Sequence, residues 1–227
     1  MTLSTYRKKR KFDRTPEPKG SITAAARRGS SLVDVMQKHM ASRLHYDLRL
    51  EWGGVLLSWA VPRGPSLDPA VKRLALQTED HPLEYADFEG VIPAGEYGSG
   101  TVLLWDQGTW QPEKLNADGS LPEREIKFRL HGKKLRGSWV LVHTRSMRAN
   151  GHRSIWLLIK HRDQYASTRD ITSDEPRSVT SRCLLSQIAH DGGGDVERAS
   201  IGDLPDTARS KNRATPAQEI GKRGKRR

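Results

Sequence analysis

From Leu44 to Glu51 apolar and polar residues alternate without a break. Leu44, Tyr46, Leu48 and Leu50 fall on one side of a predicted strand, and His45, Asp47, Arg49 and Glu51 on the other. Upstream, Leu32–His39 reads as extended. Downstream, Trp52-Gly53-Gly54 is a hairpin turn, since a Gly-Gly pair supplies the positive φ that tight hairpins need. Val55–Val61 is the returning strand, broken by Pro62-Arg63-Gly64-Pro65. Arg73–Thr78, Thr101–Trp105, Ile126–Leu130, Ser138–Thr144 and Ser154–Lys160 are further strands. Asp106-Gln107-Gly108 reads as a turn leading to a short partner at Thr109-Trp110. Gly90–Gly100 is a shaped loop, Pro112–Glu123 a polar excursion, and His131–Lys134 and Arg145–Arg153 polar turns. Trp59, Trp105, Trp110, Trp139 and Trp156 sit in or beside strands and are expected to fill a core. The pattern is mainly β: about eight or nine short strands, a barrel or sandwich, closing near residue 165.

The flanks behave differently. Residues 1–30 hold no sustained apolar pattern beyond a short helix expected at Ala24–Arg28. Residues 166–227 are rich in Ser, Thr, Asp, Arg and Gly, and read as a disordered basic tail with one short helix at Ser181–Ala189. The expected organisation is a basic N-terminal arm (1–30), a β domain (31–165) and a low-complexity tail (166–227). No internal repeat is present.

Composition sharpens this picture. The 227 residues are 35% hydrophobic and carry a net charge of +12, with a mean hydropathy of -0.72. Residues 1–20 hold seven Lys/Arg against two acids (+5), and residues 206–227 eight against two (+6). The remaining stretch is therefore 12 − 5 − 6 = +1. Basic arms around a nearly neutral body suggest a polyanion partner, most often nucleic acid. The single Cys183 excludes an intramolecular disulfide and a multi-Cys zinc site. No signal-peptide core and no apolar run near eighteen residues is seen, so the expectation is a soluble, cytoplasmic, nucleoid-associated monomer without membrane contact.

The polar side of the Leu44–Glu51 strand carries the candidate chemistry. His45 and Asp47 are metal-ligating types, and His39 can supply a third ligand from the neighbouring strand end. Two imidazoles and a carboxylate suit Mn²⁺, Zn²⁺ or Fe²⁺ and leave positions open for water or substrate. Arg49, on the same face, could grip a phosphate oxygen with its fork. Alone, an alternating strand with a polar face is more often simply half in water.

Longer motifs carry a resemblance. The segments QKHMASRLHYDLRLEWGGVLLSWAVPRGPSLDPAVKRLA, EDHPLEYADFEGVIPAGEYGSGTV, WDQGTW and WLLIKHRD resemble the 3′-phosphoesterase module of bacterial ATP-dependent DNA ligase D, over roughly residues 5–165. With no ligase or polymerase module in the sequence, the resemblance is to the free-standing form. It implies a small closed or crescent-shaped β-barrel and a Mn²⁺-dependent enzyme (Co²⁺ or Zn²⁺ as alternatives) of non-homologous end joining. Such an enzyme removes 3′-phosphates and 3′-terminal ribonucleotides from DNA or RNA–DNA primer ends, ahead of a separate ligase or polymerase. It implies His39, His45 and Asp47 as metal ligands, and Arg49, His81 and Tyr85 as active-site residues, with His81 as phosphate donor or general acid. Gln37, Ser58 and Arg73 also fall on family site positions, Arg63 and Arg73 being expected to steer the strand backbone. Arg10 and Glu17 are expected to bind substrate, Glu17 by orienting Arg10 or by contacting the terminal ribose. Two positions depart from the pattern: Arg63 replaces a family Lys, and Lys11 replaces an acid in the arm that serves the ribonuclease step. Competing expectations are a non-catalytic DNA-end-binding module that recruits a ligase, and a phosphoesterase acting on RNA 3′ ends.

Overall fold

The alternating stretches become nine antiparallel strands: β1 (Leu32–Met40), β2 (Leu44–Trp52), β3 (Val55–Val61), β4 (Lys72–Gln77), β5 (Gly90–Ile92), β6 (Gly100–Pro112), β7 (Glu125–His131), β8 (Arg136–His143) and β9 (Ile155–Lys160). The computed structural model describes residues 3–20, 31–144 and 154–205. Neighbours run β1-β2-β3-β4-β9-β8-β7-β6, and β6 returns to pair with β1, so eight strands close into a barrel with β5 added beside β6. Closure leaves the barrel strands without a free edge. The β2–β3 hairpin turns on Gly53 and Gly54, at φ 59° and 82°, which only glycine adopts cheaply.

Trp59, Trp105, Trp110, Trp139 and Trp156 are buried at 5% exposure or less, packed with Leu48, Leu50, Leu57, Phe128 and Leu158 in one core cluster. Unlike in a half-solvated sheet, the other face of β2 is covered too: Arg49 is 3% and Glu51 7% exposed. A second cluster lies on that outer face, where Tyr6, Val35, Leu56, Tyr85, Phe88 and Val102 pack together.

Three expectations need correcting. Asp106-Gln107-Gly108 is not a turn, because β6 runs through it as one thirteen-residue strand. An extra residue is accommodated there, with Met36 opposite Asp106 and Gln37 opposite Leu104, so the strand bulges but keeps its pairing. Gly108 serves close approach: a Cβ there would meet Gly132 Cα and His131 O at 2.5 Å. The tail after residue 166 also holds more than the one short helix expected at Ser181–Ala189, which forms at Leu185–Asp191. It holds α2 (Ile171–Asp174), α3 (Leu185–Asp191) and α4 (Val196–Asp203), which bury Ile171, Leu185, Ile188, Ala189 and Ala199 in the main core. Asp203 at the end of α4 accepts from the backbone N–H groups of Leu185 (2.9 Å) and Ser186 (3.0 Å), capping α3. Third, the arm is packed onto the barrel through residue 20, with α1 (Ser4–Lys8) burying Tyr6 completely. The helix expected at 24–28, the turn at 145–153 and the basic stretch 206–227 lie outside the described residues. Among the described residues no helix is long and apolar enough to cross a membrane.

Two carboxylates are buried together between β1 and β6. Asp106 is held by the backbone N–H groups of Lys134 (2.9 Å) and Leu135 (2.7 Å). Asp34, 2% exposed, has no partner for Oδ1 among the described residues. Burial, and then the nearby Asp106, push its pKa up to about 8.

Two predictions follow from this packing. Leu185→Ala should lower the unfolding free energy by about 2–5 kcal/mol in urea titrations; an unchanged midpoint would mean that the C-terminal helices are not part of the core. For Asp34 the folded carboxyl holds its proton up to about pH 8, whereas the unfolded one releases it near about 3.9. The folded state thus binds more protons between those values, and stability falls as pH rises through that window. Asp34→Asn should gain on the native chain between pH 5 and pH 8, as read from urea midpoints; an equal difference at both pH values would refute the assignment.

Candidate metal centre

Strand register brings the expected ligands together. In the β1–β2 pair His39 lies opposite His45, and Asp47 lies opposite Gln37. Residues two apart on a strand share a face, as do directly opposed ones. His39, His45 and Asp47 therefore meet on the outer barrel face, with donor atoms all within 4.8 Å of one another. His39 Nδ1 is 3.7 Å from Asp47 Oδ2, and His45 Nε2 is 3.7 Å from Asp47 Oδ1.

The state of these donors suits a divalent cation. His45 Nδ1 is 2.9 Å from the Arg43 carbonyl and must donate to it. That leaves the Nε2 lone pair facing Asp47, the backbone-anchored arrangement common among metal-bound imidazoles. His39 Nε2 is buried with no hydrogen-bond partner among the described residues, and burial lowers the His39 pKa, keeping the ring neutral. Burial alone would raise the Asp47 carboxyl; Arg49, then His45 and His39, outweigh it and hold Asp47 well below the usual carboxylate range. Two imidazoles and an ionised carboxylate are a fitting donor set for Mn²⁺, Co²⁺ or Zn²⁺.

Arg49 is less available than its sequence position suggests. Nε donates to Gln37 Oε1 (2.7 Å), Nη1 to Ser58 Oγ (2.9 Å) and toward His81 Nδ1 (2.9 Å), and Nη2 to Asp47 Oδ2 (3.1 Å). Four of its five N–H groups thus face protein, leaving one. Gln37 is itself fixed through Nε2 by the Tyr85 and Phe88 carbonyls. The guanidinium also lies over the Tyr85 ring, 4.7 Å from its centroid.

His81 sits between two guanidinium groups, with Nδ1 near Arg49 and Nε2 3.2 Å from Arg10 Nη2. A neutral imidazole accepts at one nitrogen only. His81 therefore accepts from Arg10 while donating from Nδ1 to the Glu79 carbonyl (2.9 Å), or accepts from Arg49. Burial, then Arg49 and Arg10, push its pKa well below the ordinary range. The neutral ring is thereby favoured, with one N–H donor and one acceptor nitrogen.

The N-terminal arm completes the site. Arg10 donates from Nε to Glu17 (2.8 Å) and from Nη1 to Glu79 (3.1 Å), and stacks 3.9 Å above the Tyr6 ring. Glu17, 4% exposed, also accepts from Thr15 Oγ1 and from the Tyr85 hydroxyl, both at 3.0 Å. Burial is the main cause raising the Tyr85 hydroxyl well above its usual range, so it stays a donor. Sequence reasoning did not single out Tyr6, Lys9, Glu79 or Tyr97. Lys9 bridges Glu79 (2.9 Å) and the Tyr97 hydroxyl (3.0 Å). The glycine-rich loop behind Tyr97 was the one available signal: a Cβ on its Gly98 would lie 3.9 Å from His39 Cε1.

Arg63 and Arg73 do not join this network. Arg63 is exposed beyond β3. Arg73 alternates with Ala75, a core residue, and pairs with Leu158, so it takes the inward side of β4 while Asp47 and Arg49 take the outer side of β2. Lys11 is exposed.

Residues 37–143 match the sequence model of the DNA Ligase D 3′-phosphoesterase domain. The chain is 49% identical over 186 residues to the multifunctional non-homologous end joining protein LigD of Pseudomonas aeruginosa, covering 81% of this chain and 22% of that protein. It is 46% identical over 151 residues to the multifunctional non-homologous end joining DNA repair protein LigD of Mycobacterium tuberculosis, covering 66% of this chain and 19% of that one. The LigD protein of Mycolicibacterium smegmatis is 43% identical over 156 residues. The chain thus spans about a fifth of the length of the curated relatives it matches.

Removing the carboxylate that ties the arm down tests this geometry. Glu17→Ala would strip Arg10 of one of its two carboxylates and Tyr85 of its acceptor. Losing one partner of a buried ion pair costs about 3–5 kcal/mol, which weakens the hold of the arm on the barrel. The expected result is loss of amide hydrogen-exchange protection across residues 3–20, with the barrel strands still protected. Full arm protection in the variant would show that Glu17 does not hold it.

Proposed function

This chain carries a domain of the DNA ligase D 3′-phosphoesterase family, and on that premise we propose that it is a metal-dependent phosphoesterase of end joining. It removes 3′-phosphates and 3′-terminal ribonucleotides from primer ends, leaving a 3′-OH for a polymerase or ligase. The observation that carries this reading is the meeting of His39, His45 and Asp47 beside the Arg49–His81–Arg10 network. A divalent cation held by those three ligands, Mn²⁺ in the first place, would neutralise phosphate charge and lower the pKa of a bound water.

The chain's own residues supply the rest. Arg49 keeps Asp47 ionised and aimed, and offers its remaining N–H to a phosphate oxygen. His81, neutral between two arginines, positions their charge. Arg10 is the second cation at the phosphate, and its tie to Glu17 sets where the terminal ribose would meet the arm. The Tyr85 hydroxyl fixes Glu17 from below. Gln37 and Ser58 act on Arg49 and not on substrate. Arg63, exposed beyond β3, can steer the strand backbone. Most of this site is buried, and the side chain of His45, 22% exposed, marks the ligand side open to an incoming end. Lys11 in place of an acid bears on the arm, and so weakens the ribonuclease step more than the phosphatase step.

The test is a turnover assay on primer-templates ending in 3′-phosphate or in one or more ribonucleotides. Mn²⁺ should support phosphate release, chelation should stop it, and His45→Ala or Asp47→Ala should lower the rate at least about 100-fold. If neither substrate is altered with Mn²⁺, Co²⁺ or Zn²⁺, the enzymatic proposal falls and the DNA-end-binding alternative takes its place. All-RNA primers at matched salt separate the RNA-end alternative.

A further inference from the structure

We propose that the β7–β8 hairpin and the loop after β9 form a second nucleic-acid-binding surface, a groove for a single strand. β8 is four steps from β2 in both directions around the barrel, by β1-β6-β7-β8 and by β3-β4-β9-β8. The groove is therefore on the wall opposite the metal centre.

Two adjoining cavities of about 330 and 370 Å³ share Arg136, Gln164 and Tyr165. Their linings hold five fixed cations, Arg129, Lys133, Lys134, Arg136 and Arg169, against one acid, Glu175. Residues 21–205 carry a net charge of only +1, so this is a local concentration and not a general excess. Some of the charge is already engaged. Arg129 pairs with Glu113 and Arg169 with Glu175. Lys134 donates to the Glu175 and Arg177 carbonyls, and Lys133 to that of Val179. Arg136 is different: its Nε donates to the Gly132 carbonyl (3.1 Å), and its outer nitrogens have no acceptor among the described residues. It stands where the cavities join.

An aromatic ring lies beside it. Tyr165 is 38% exposed. It rests against the hairpin because Gly137, at φ 79°, has no side chain: a Cβ would collide with the Asp163 carboxylate, which is paired with Lys160, and come within 2.8 Å of Tyr165 Cδ2. Cations along a groove with an exposed ring between them match what unpaired nucleotides need, phosphate neutralisation plus a stacking surface. A duplex buries its base faces and would leave the ring without a role. The inference rests on the functional reading above, since an overhanging strand accompanies a recessed 3′ end.

Binding without turnover tests it, so an inactive metal centre leaves the outcome readable. Fluorescence anisotropy would compare a 5′-tailed duplex, a blunt duplex and a single-stranded oligonucleotide. Arg136→Glu and Tyr165→Ala should each weaken the tailed duplex and the single strand by about 10-fold. Tyr165→Phe should bind like the native chain, and Arg136→Glu should reduce the salt slope by about 1. Blunt-duplex affinity should be unchanged. Native affinity in both weakened variants, or an equal loss on blunt duplex, overturns the proposal. Unchanged thermal melting of the variants shows that the fold is intact.

Discussion

A buried guanidinium constrains this site more than any other group. Arg49 is 3% exposed, and a cation so placed is tolerated only when its N–H groups are satisfied. Its acceptors come from β1 (Gln37), β2 (Asp47), β3 (Ser58) and the segment before the 3-10 turn at Leu83–Asp87 (His81). One side chain therefore fixes three strands and a loop relative to one another, and with them the orientation of the Asp47 carboxylate. The expected phosphate clamp is first an organiser. Its capacity for substrate is what remains after the protein has been satisfied.

The second constraint is cover. A barrel wall normally presents its outer face to water, but here the arm and the 3-10 turn bury it. Tyr6, Tyr85 and Phe88 form an apolar layer around the Arg10–Glu17–Glu79 ion pairs. Lower local dielectric strengthens each charge interaction and makes each unpaired group costly. That explains why the network is so completely interlocked, and why His81 is neutral within it. At the far end the C-terminal helices reach the core: Gly202 of α4 is so close that a Cβ would come within 2.9 Å of Met40 Cε. Both ends of the described chain thus stabilise the barrel around the site.

Charge is divided between two kinds of place. Within the centre, cations are matched by Glu17, Glu79 and Asp47. On the opposite wall, Arg136 is not matched. On the function proposed above both are needed, because the groups that organise chemistry are not free to gather substrate.

Much of this was legible in the sequence, and for a local reason. Strand alternation has a period of two, so Leu44–Glu51 announced its two faces, and the Gly-Gly hairpin announced its turn. The tryptophans marked the core. The His39, His45 and Asp47 convergence follows from register alone, since one hairpin brings them to one face. What the sequence could not decide depends on contacts between distant residues. Asp106-Gln107-Gly108 has turn composition, yet β6 continues because β1 pairs along its whole length and Gly132 approaches Gly108. Of the helices after residue 170, α3 was announced by the Ser181–Ala189 stretch, while α2 and α4 are too short and too polar to signal themselves and form because a few apolar residues reach the barrel core. Glu17 and Arg10 gain their meaning from Glu79, His81 and Tyr85, more than sixty residues away. Local periodicity set where the strands are and which residues share a face; only tertiary packing decided which of those faces is buried, and burial is what turns a polar strand into a site.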